Sequence, residues 1–204
     1  MQQERRIHRA KPEPHHPEPL PLQSGAASPL VGKATVPGDK SISHRALLLS
    51  SQVLGKTTIH GLLEGEDVLN TAKALRAMGV SVEREENGAW HVQGVGVGGL
   101  NESEQVLDMG NSGTGVRLMM GLVAPYPYVT FFTGDHSLVK RPMKRVVTPL
   151  EEMGINFTTR AEHRLPLALI GNDTPMPITY RLPMASAQVK SCILLAGLNT
   201  QGMT

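Results

Sequence analysis

VPGDKSISHR, residues 36–45, is the stretch from which the rest of the chain can be read. A short apolar run, Ala34, Thr35 and Val36, ends at Pro37 and Gly38. Ser41 then stands before the apolar segment Ala46–Leu49. The pattern predicts a strand, a tight turn and a helix capped by Ser41. Lys40, Ser41 and Arg45 would then gather at one helix N-terminus, with Arg45 one turn along the face of Ser41. Unpaired backbone N–H groups and the positive end of the helix dipole favour an anion there. An ordinary helix cap flanked by two solvated cations fits the stretch equally well, so it leaves both readings open.

Composition narrows the field. The 204 residues are 40% hydrophobic and 19% charged, ordinary for a globular chain with a real core. Aromatics make up 3%, against ten Met and 21 Gly, so the core is expected to be aliphatic and methionine-rich with frequent turns. Twenty basic residues nearly balance 18 acidic ones, which gives no global field for nucleic acid and few rings to stack bases. Acidic ligands must therefore be bound locally. The single cysteine, Cys192, excludes an internal disulfide and suits a reducing compartment. No apolar run approaches the roughly 18 residues of a membrane span and no signal-peptide core is present, so no membrane partner and a cytoplasmic location are expected. Residues 1–28, rich in Pro, His and charge, read as an unfolded tail, and His15 and His16 within it as solvated composition, with no metal or other cofactor expected.

Along the chain, Thr57–Leu63 reads as a strand, and Asp67 opens a helix whose apolar positions Val68, Ala72, Leu75 and Met78 end at Gly79. Val80–Arg84 and Trp90–Val95 flank Asn87-Gly88 as a hairpin. The same order then recurs. Gly110 begins a Gly-rich turn into the helix of GNSGTGVRLMMGL, Val129–Gly134 is a strand, VVTPLEEMGI ends a helix, and INFTTRAEHRLPLALIG is a second hairpin. Arg45 to Arg117 spans 72 positions and Gly79 to Gly154 spans 75, so the repeat is a whole supersecondary unit. A third copy starts at MASAQVKSCILLAGL, residues 184–198, with Ser186 as its cap, and the chain stops at Thr204, which reads as a fragment.

Several motifs do not hold up. Gly94, Gly96 and Gly99 match a dinucleotide fingerprint but are followed by LNESEQ, which makes no apolar helix. SSQVLGKT lacks the first glycine of a phosphate loop and leads into a strand. Cys192 lies in an apolar helical run and reads as a buried structural thiol. The sequons at Asn101, Asn156 and Asn172 carry no weight without secretion.

Five stretches, PGDKSISHRALLLSS, GLLEGEDVLNTAKALRAMG, GNSGTGVRLMMGL, GDHSLVKRPM and YRLPMASAQVKSCILLAGL, together resemble the 5-enolpyruvylshikimate-3-phosphate synthase family, or 3-phosphoshikimate 1-carboxyvinyltransferases, of the shikimate pathway. They occur in family order from about residue 30 onward, and their details look most like the bacterial class that includes glyphosate-insensitive members. The resemblance implies an α/β enolpyruvate transferase-like fold of repeated βαβαββ units. Residues 29–204 would hold the first strand of the other domain, two complete units and the start of a third. It also implies a role in aromatic amino acid and chorismate biosynthesis. The family joins shikimate 3-phosphate to phosphoenolpyruvate: the 5-hydroxyl adds to C2 of protonated phosphoenolpyruvate, and phosphate then leaves. Both substrates are multiply anionic, so cations and helix ends are needed in one place.

Carried over by position, Lys40 would bridge the substrates as the catalytic lysine, and Ser41 and Arg45 would hold shikimate 3-phosphate. Ser186, Ala187 and Gln188 would line that site from the third helix start, with Gln188 also reaching phosphoenolpyruvate. Ala187 stands where many members have serine, which removes one phosphate hydrogen bond. Arg141 would clamp phosphoenolpyruvate as a fork that lysine cannot reproduce. Gly113 would line the same pocket by close backbone approach, where the insensitive class often has alanine. Asn111, Thr114 and Arg117 would shape the turn. The family's proton-transfer carboxylates and remaining cations have no counterpart in this sequence, so the chain alone is expected to bind shikimate 3-phosphate weakly without chemistry. Its partners would be the two substrates and a chain supplying the C-terminal half. Two alternatives stand beside this: a non-catalytic half of a split enzyme, and a relative of UDP-N-acetylglucosamine enolpyruvyltransferase, which would require a reactive loop cysteine.

Overall fold

A computed structural model describes residues 21–204 apart from 27 and 30. The expected tail, with His15 and His16, falls mostly outside the described residues. By internal contacts, residues up to Thr35 form one unit and Val36–Thr204 another, and the described part of the first carries no helix or strand. Residues 34–36 are exposed and unpaired, which corrects the strand expected there: an isolated apolar triplet has no ladder to join.

The second unit opens with helix α1, Lys40–Ser51. Its cap is Asp39, whose Oδ1 accepts from the Ile42 N–H at 2.8 Å, so Ser41 lies inside the helix and does not cap it. Both residue types cap well; Asp39 is the one that stands extended, at φ −67° and ψ 134°, immediately before the helix, and the tight turn expected at Pro37–Gly38 is instead irregular chain. Strand β1, Leu54–Ile59, begins three residues before the expected start and ends earlier, since Gly61 turns the chain at φ +70°. Helix α2 runs Glu66–Ala77 behind Gly65, with Glu66 and Asp67 placed favourably in its first turn. Strands β2, Ser81–Arg84, and β3, Trp90–Val95, form the expected hairpin, with Gly88 at φ +84° in its turn.

The second copy runs through strand β4, Leu107–Asp108, helix α3, Gly113–Val123, and strand β5, Val129–Thr133. A short 3-10 turn, Leu138–Lys140, leads to helix α4, Lys144–Glu152, and then to strands β6, Asn156–Arg160, and β7, Arg164–Ile170. Helix α5, Ala187–Gly197, follows and is capped by Ser186 as expected, with Oγ accepting from Val189 N at 3.3 Å.

The sheets show the duplication directly. One is ordered β1-β3-β2 and the other β4-β5-β7-β6; removing β4 leaves the same antiparallel arrangement in the same chain order. Among the described residues, the first copy has no counterpart of the leading strand that β4 provides, parallel to β5, in the second. The helix exits match residue for residue. Gly79 at φ +87° and Gly154 at φ +89° end α2 and α4, and the amides of Val80 and Ile155 bond back to the carbonyls of Leu75 and Leu150, each at 3.1 Å. Helix starts at 40, 113 and 187 put Arg117 one place earlier along its helix than Arg45 is along α1, so those arginines are not strict equivalents.

The core follows from this layout. Leu47, Leu48, Leu75, Leu118 and Leu122 join Met78, Met109, Met119, Met120 and Met143 around Phe132, all essentially inaccessible. On β7 the alternate residues Leu165, Leu167 and Leu169 face inward. Helix α3 is enclosed nearly all round, and of its eleven residues only Thr114 and Arg117, three apart on one face, are not buried. It can lie against α5 because Gly121 has no side chain: a Cβ there would sit 2.2 Å from the Cys192 carbonyl oxygen. Among the described residues, no helix is long and apolar enough to cross a membrane.

Candidate anion-binding site

Side-chain contacts tie the first turns of the helices together at one end of the fold. Lys40 Nζ, in the first turn of α1, meets Asp67 Oδ2 in the first turn of α2 at 3.1 Å. Gln188 Nε2, in the first turn of α5, donates to Thr114 Oγ1 of α3 at 3.0 Å. Arg45 binds back to the Ser41 carbonyl at 3.0 Å and crosses to α5, donating to Ser191 Oγ at 2.8 Å and to the Ala187 carbonyl at 3.5 Å. The N-terminal ends of these helices thus adjoin one another, and the partial charge at each favours an anion there.

Beside them opens a cavity of about 300 Å³ lined by Arg117, Arg141, Pro142, Arg145, Ser186, Gln188 and Val189. Among the described residues, none of its three arginines makes an ion pair, and no carboxylate lines it. Arg117 donates to the Gly113 carbonyl at 2.8 Å and the Pro142 carbonyl at 3.3 Å. Burial, then the charges of Arg141 and Arg145, push its pKa down. Arg141 Nη2 donates to Asn111 Oδ1 at 2.6 Å and Ser137 Oγ at 3.1 Å, so its fork is positioned by neutral groups and keeps its charge for a ligand. Asn111 is itself held by Asp135 Oδ2 at 2.6 Å. The other oxygen of Asp135 accepts from the amides of Ser137 and Leu138. Those bonds and the amide of Asn111 keep its carboxyl below the usual range against the opposing effect of desolvation. Gly113 packs between the two arginines: a Cβ there would stand 3.0 Å from Nη1 of both Arg117 and Arg141.

Of the expected residues, Arg117, Arg141, Ser186 and Gln188 line the cavity itself. Gly113, Asn111 and Thr114 touch its walls through the contacts above. Lys40, Ser41 and Arg45 lie at the neighbouring end of α1, with Lys40 half exposed and paired to Asp67. Ala187 offers its backbone carbonyl, turned to Arg45. Three contributors were not read from the sequence: Arg145, Asp135 and Ser191. Arg145 lies in the first turn of α4 whereas Arg141 is extended before it, so no helical spacing links the two in the sequence. The Asp135–Asn111 and Ser191–Arg45 contacts join residues 24 and 146 positions apart and have no local signature. Cys192 is fully buried, with its thiol pushed up to about 12, in keeping with a structural role. Among the described residues, no group of three His, Cys, Asp or Glu is arranged to hold a metal ion.

Repeated βαβ-type units with adjoining helix N-termini beside a carboxylate-free arginine cleft define an α/β protein of enolpyruvate transferase-like fold. Sequence comparison then names the family. Residues 25–204 match the profile of EPSP synthase (3-phosphoshikimate 1-carboxyvinyltransferase), and the chain belongs to that family. It is 61% identical over 184 residues to 3-phosphoshikimate 1-carboxyvinyltransferase of Paramagnetospirillum magneticum, covering 90% of this chain and 41% of the relative. The protein of that name from Novosphingobium aromaticivorans is 59% identical over 184 residues, 90% of this chain and 42% of the relative. The structure of EPSP synthase from Acinetobacter baumannii superposes with a TM-score of 0.80 at 48% identity, covering 84% of this chain and 39% of that one. The chain thus spans about two fifths of the length of the curated relatives it matches.

Proposed function

We propose that this chain supplies the shikimate 3-phosphate seat and part of the phosphoenolpyruvate clamp of an enolpyruvyl transfer, within the first part of one domain of the enolpyruvate transferase fold. Its two repeats and α5, the start of a third, frame that seat. The observation that carries the reading is the cavity of three unpaired arginines beside Ser186 and Gln188. Such a lining suits a phosphate or carboxylate and repels a cation. Shikimate 3-phosphate would place its phosphate between Ser186, Ser41 and Arg45. Phosphoenolpyruvate would lie against Gly113, with Arg141 as its fork and Arg145 as a further cation. Lys40 would stand between the two ligands, released from the exposed Asp67 pair at small cost. In the transfer, C3 of phosphoenolpyruvate takes up a proton, the 5-hydroxyl adds to C2 and loses its own proton, and phosphate then leaves with the electrons of the broken C–O bond while a C3 methyl proton is removed, which restores the C=C bond of the enol ether. Arginines beside the departing phosphate stabilise the developing charge.

Among the described residues the cavity walls supply cations and neutral donors without a carboxylate, so in this reading the proton-transfer carboxylates would belong to the part of the curated relatives' length that this chain does not span. Calorimetric titration of the 204-residue chain with shikimate 3-phosphate, beside a phosphate-release assay with both substrates, tests the reading. Saturable binding without phosphate release is expected. No binding, or binding that methyl shikimate or inorganic sulfate matches, would reject the seat; turnover by this chain alone would reject the division of labour.

A further inference from the structure

Beneath the cavity lies a buried polar chain that neither the anion seat nor the helix caps account for. His44 of α1 is fully inaccessible, as are Thr71 of α2 and Ser112, the cap of α3. His44 Nδ1 lies 2.8 Å from Thr71 Oγ1, and His44 Nε2 lies 3.4 Å from Ser112 Oγ. Thr71 Oγ1 is also 3.5 Å from the Asp67 carbonyl, and Ser112 Oγ accepts from the Gly115 N–H at 3.0 Å. One imidazole therefore links three helices, and one of its partners is the residue that starts α3 immediately before Gly113.

The proton count selects a tautomer. Ser112 Oγ already accepts an N–H from Gly115. If His44 carried its proton on Nε2, Ser112 would receive a second N–H and its own hydroxyl proton would have no acceptor in a sealed site. With the proton on Nδ1, every hydroxyl both gives and receives. Thr71 donates to the Asp67 carbonyl and accepts from Nδ1–H, while Ser112 donates to Nε2 and accepts from Gly115. We infer that His44 is a positioning residue, held neutral as the Nδ1–H tautomer, which orients the Ser112 hydroxyl and so holds the cap of α3 and the Gly113 turn against Arg141. Burial is the leading effect on the ring and favours the neutral form. Of the charges acting on it, Lys40 and Arg45 on its own helix oppose protonation and Asp67 on α2 favours it, while α3 presents the neutral Ser112.

The consequence for a ligand rests on the anion seat proposed above, but the test uses no ligand, so the seat could fail while this chain of hydrogen bonds stands. Long-range proton–nitrogen NMR of the 204-residue chain reads the tautomer at pH 7, with the His44 ring signals assigned through its backbone in uniformly labelled protein. An Nδ1–H ring with an unprotonated Nε2 is expected, and Ser112→Ala should shift the Nε2 resonance towards that of a nitrogen without a donor. Hydrogen exchange supplies a second measure. In His44→Leu the Gly115 amide should exchange about five- to tenfold faster, the effect of weakening one cap, and His44→Gln should restore part of the protection. An Nε2–H ring, or a mixture of tautomers as in water, overturns the inference even if no variant folds. An Nε2 resonance indifferent to Ser112→Ala, or Gly115 exchange unchanged in His44→Leu, also overturns it by reducing His44 to a space-filling side chain.

Discussion

Replacing Gly113 with alanine probes the cleft at its tightest point. A Cβ there would lie 3.0 Å from Nη1 of Arg117, 3.0 Å from Nη1 of Arg141 and 3.9 Å from Leu138 Cδ1. Ordinary contact begins near 3.4 Å, so each guanidinium must withdraw by a few tenths of an ångström. Both are the far ends of flexible side chains. For Arg141 the withdrawal breaks the already long 3.4 Å bond from Nη1 to the Asn111 carbonyl, a net loss of about 1 kcal/mol, and leaves the 2.6 Å bond to Asn111 Oδ1 in place. Alanine in a helix returns up to about 1 kcal/mol relative to glycine, less in the first turn. Stability should therefore change by under about 1 kcal/mol in urea unfolding. The fork faces its ligand out of register, and forfeiting part of a charge-assisted bond of about 1.5 to 3 kcal/mol weakens phosphoenolpyruvate binding about fivefold by calorimetric titration. Glyphosate, being longer, should lose more than phosphoenolpyruvate. A fall in stability above about 2 kcal/mol would show that the arginines cannot withdraw. Unchanged stability with unchanged phosphoenolpyruvate affinity would refute the idea that Arg141 faces the ligand.

Arg141→Lys should cut phosphoenolpyruvate affinity about tenfold or more, because an ammonium cannot hold Asn111 and a carboxylate in one plane; titration showing less than twofold loss would remove the fork argument. Lys40→Ala should alter stability by under about 0.5 kcal/mol, since its pair with Asp67 is solvent-exposed, yet lower shikimate 3-phosphate affinity, and the reverse pattern would make Lys40 structural. The His44 pKa, lowered to about 4 from 6.5, means that between those values the unfolded chain takes up a proton that the folded chain refuses. Stability should then fall as pH drops through that window, by about 3 kcal/mol in all, and His44→Gln should flatten this part of the urea-midpoint profile. The Cys192 thiol, buried and pushed up to about 12, should react with a disulfide reagent only on unfolding; rapid labelling of the native chain would contradict the α3–α5 packing.

The duplication was legible because its marks are local. Gly79 and Gly154 close their helices through the same left-handed exit, and a residue needed for its backbone angle shows in the sequence whatever surrounds it. The cleft was legible through single stretches that carry several polar groups, such as the turn before α3 and the start of α5. Boundaries set by competition were less so: Asp39 and Ser41 are equally good caps, and only the backbone angles at Asp39 decide between them. The run Ala34–Val36 had strand residues but no neighbouring strand, which composition cannot reveal. Least visible were the long-range couplings. Nothing around His44 announces that its partners are Thr71 and Ser112, 27 and 68 positions away.

The bond from Arg45 to Ser191 also sets an order of events in time. The β1-β3-β2 sheet needs only residues 54–95 and can form while the chain is still being made. Arg45 must wait for a partner 146 positions downstream. At about 5 to 20 residues per second, synthesis leaves that guanidinium without its α5 contact for roughly 7 to 30 seconds. Until α5 arrives, the face of α1 that carries Arg45 has no helix to lie against, and the groove that Arg45, Leu48 and Leu49 line with Ser191 and Leu195 does not yet exist. The helix start that supplies Ser186 and Gln188 to the proposed anion seat is thus the last of its parts to be made.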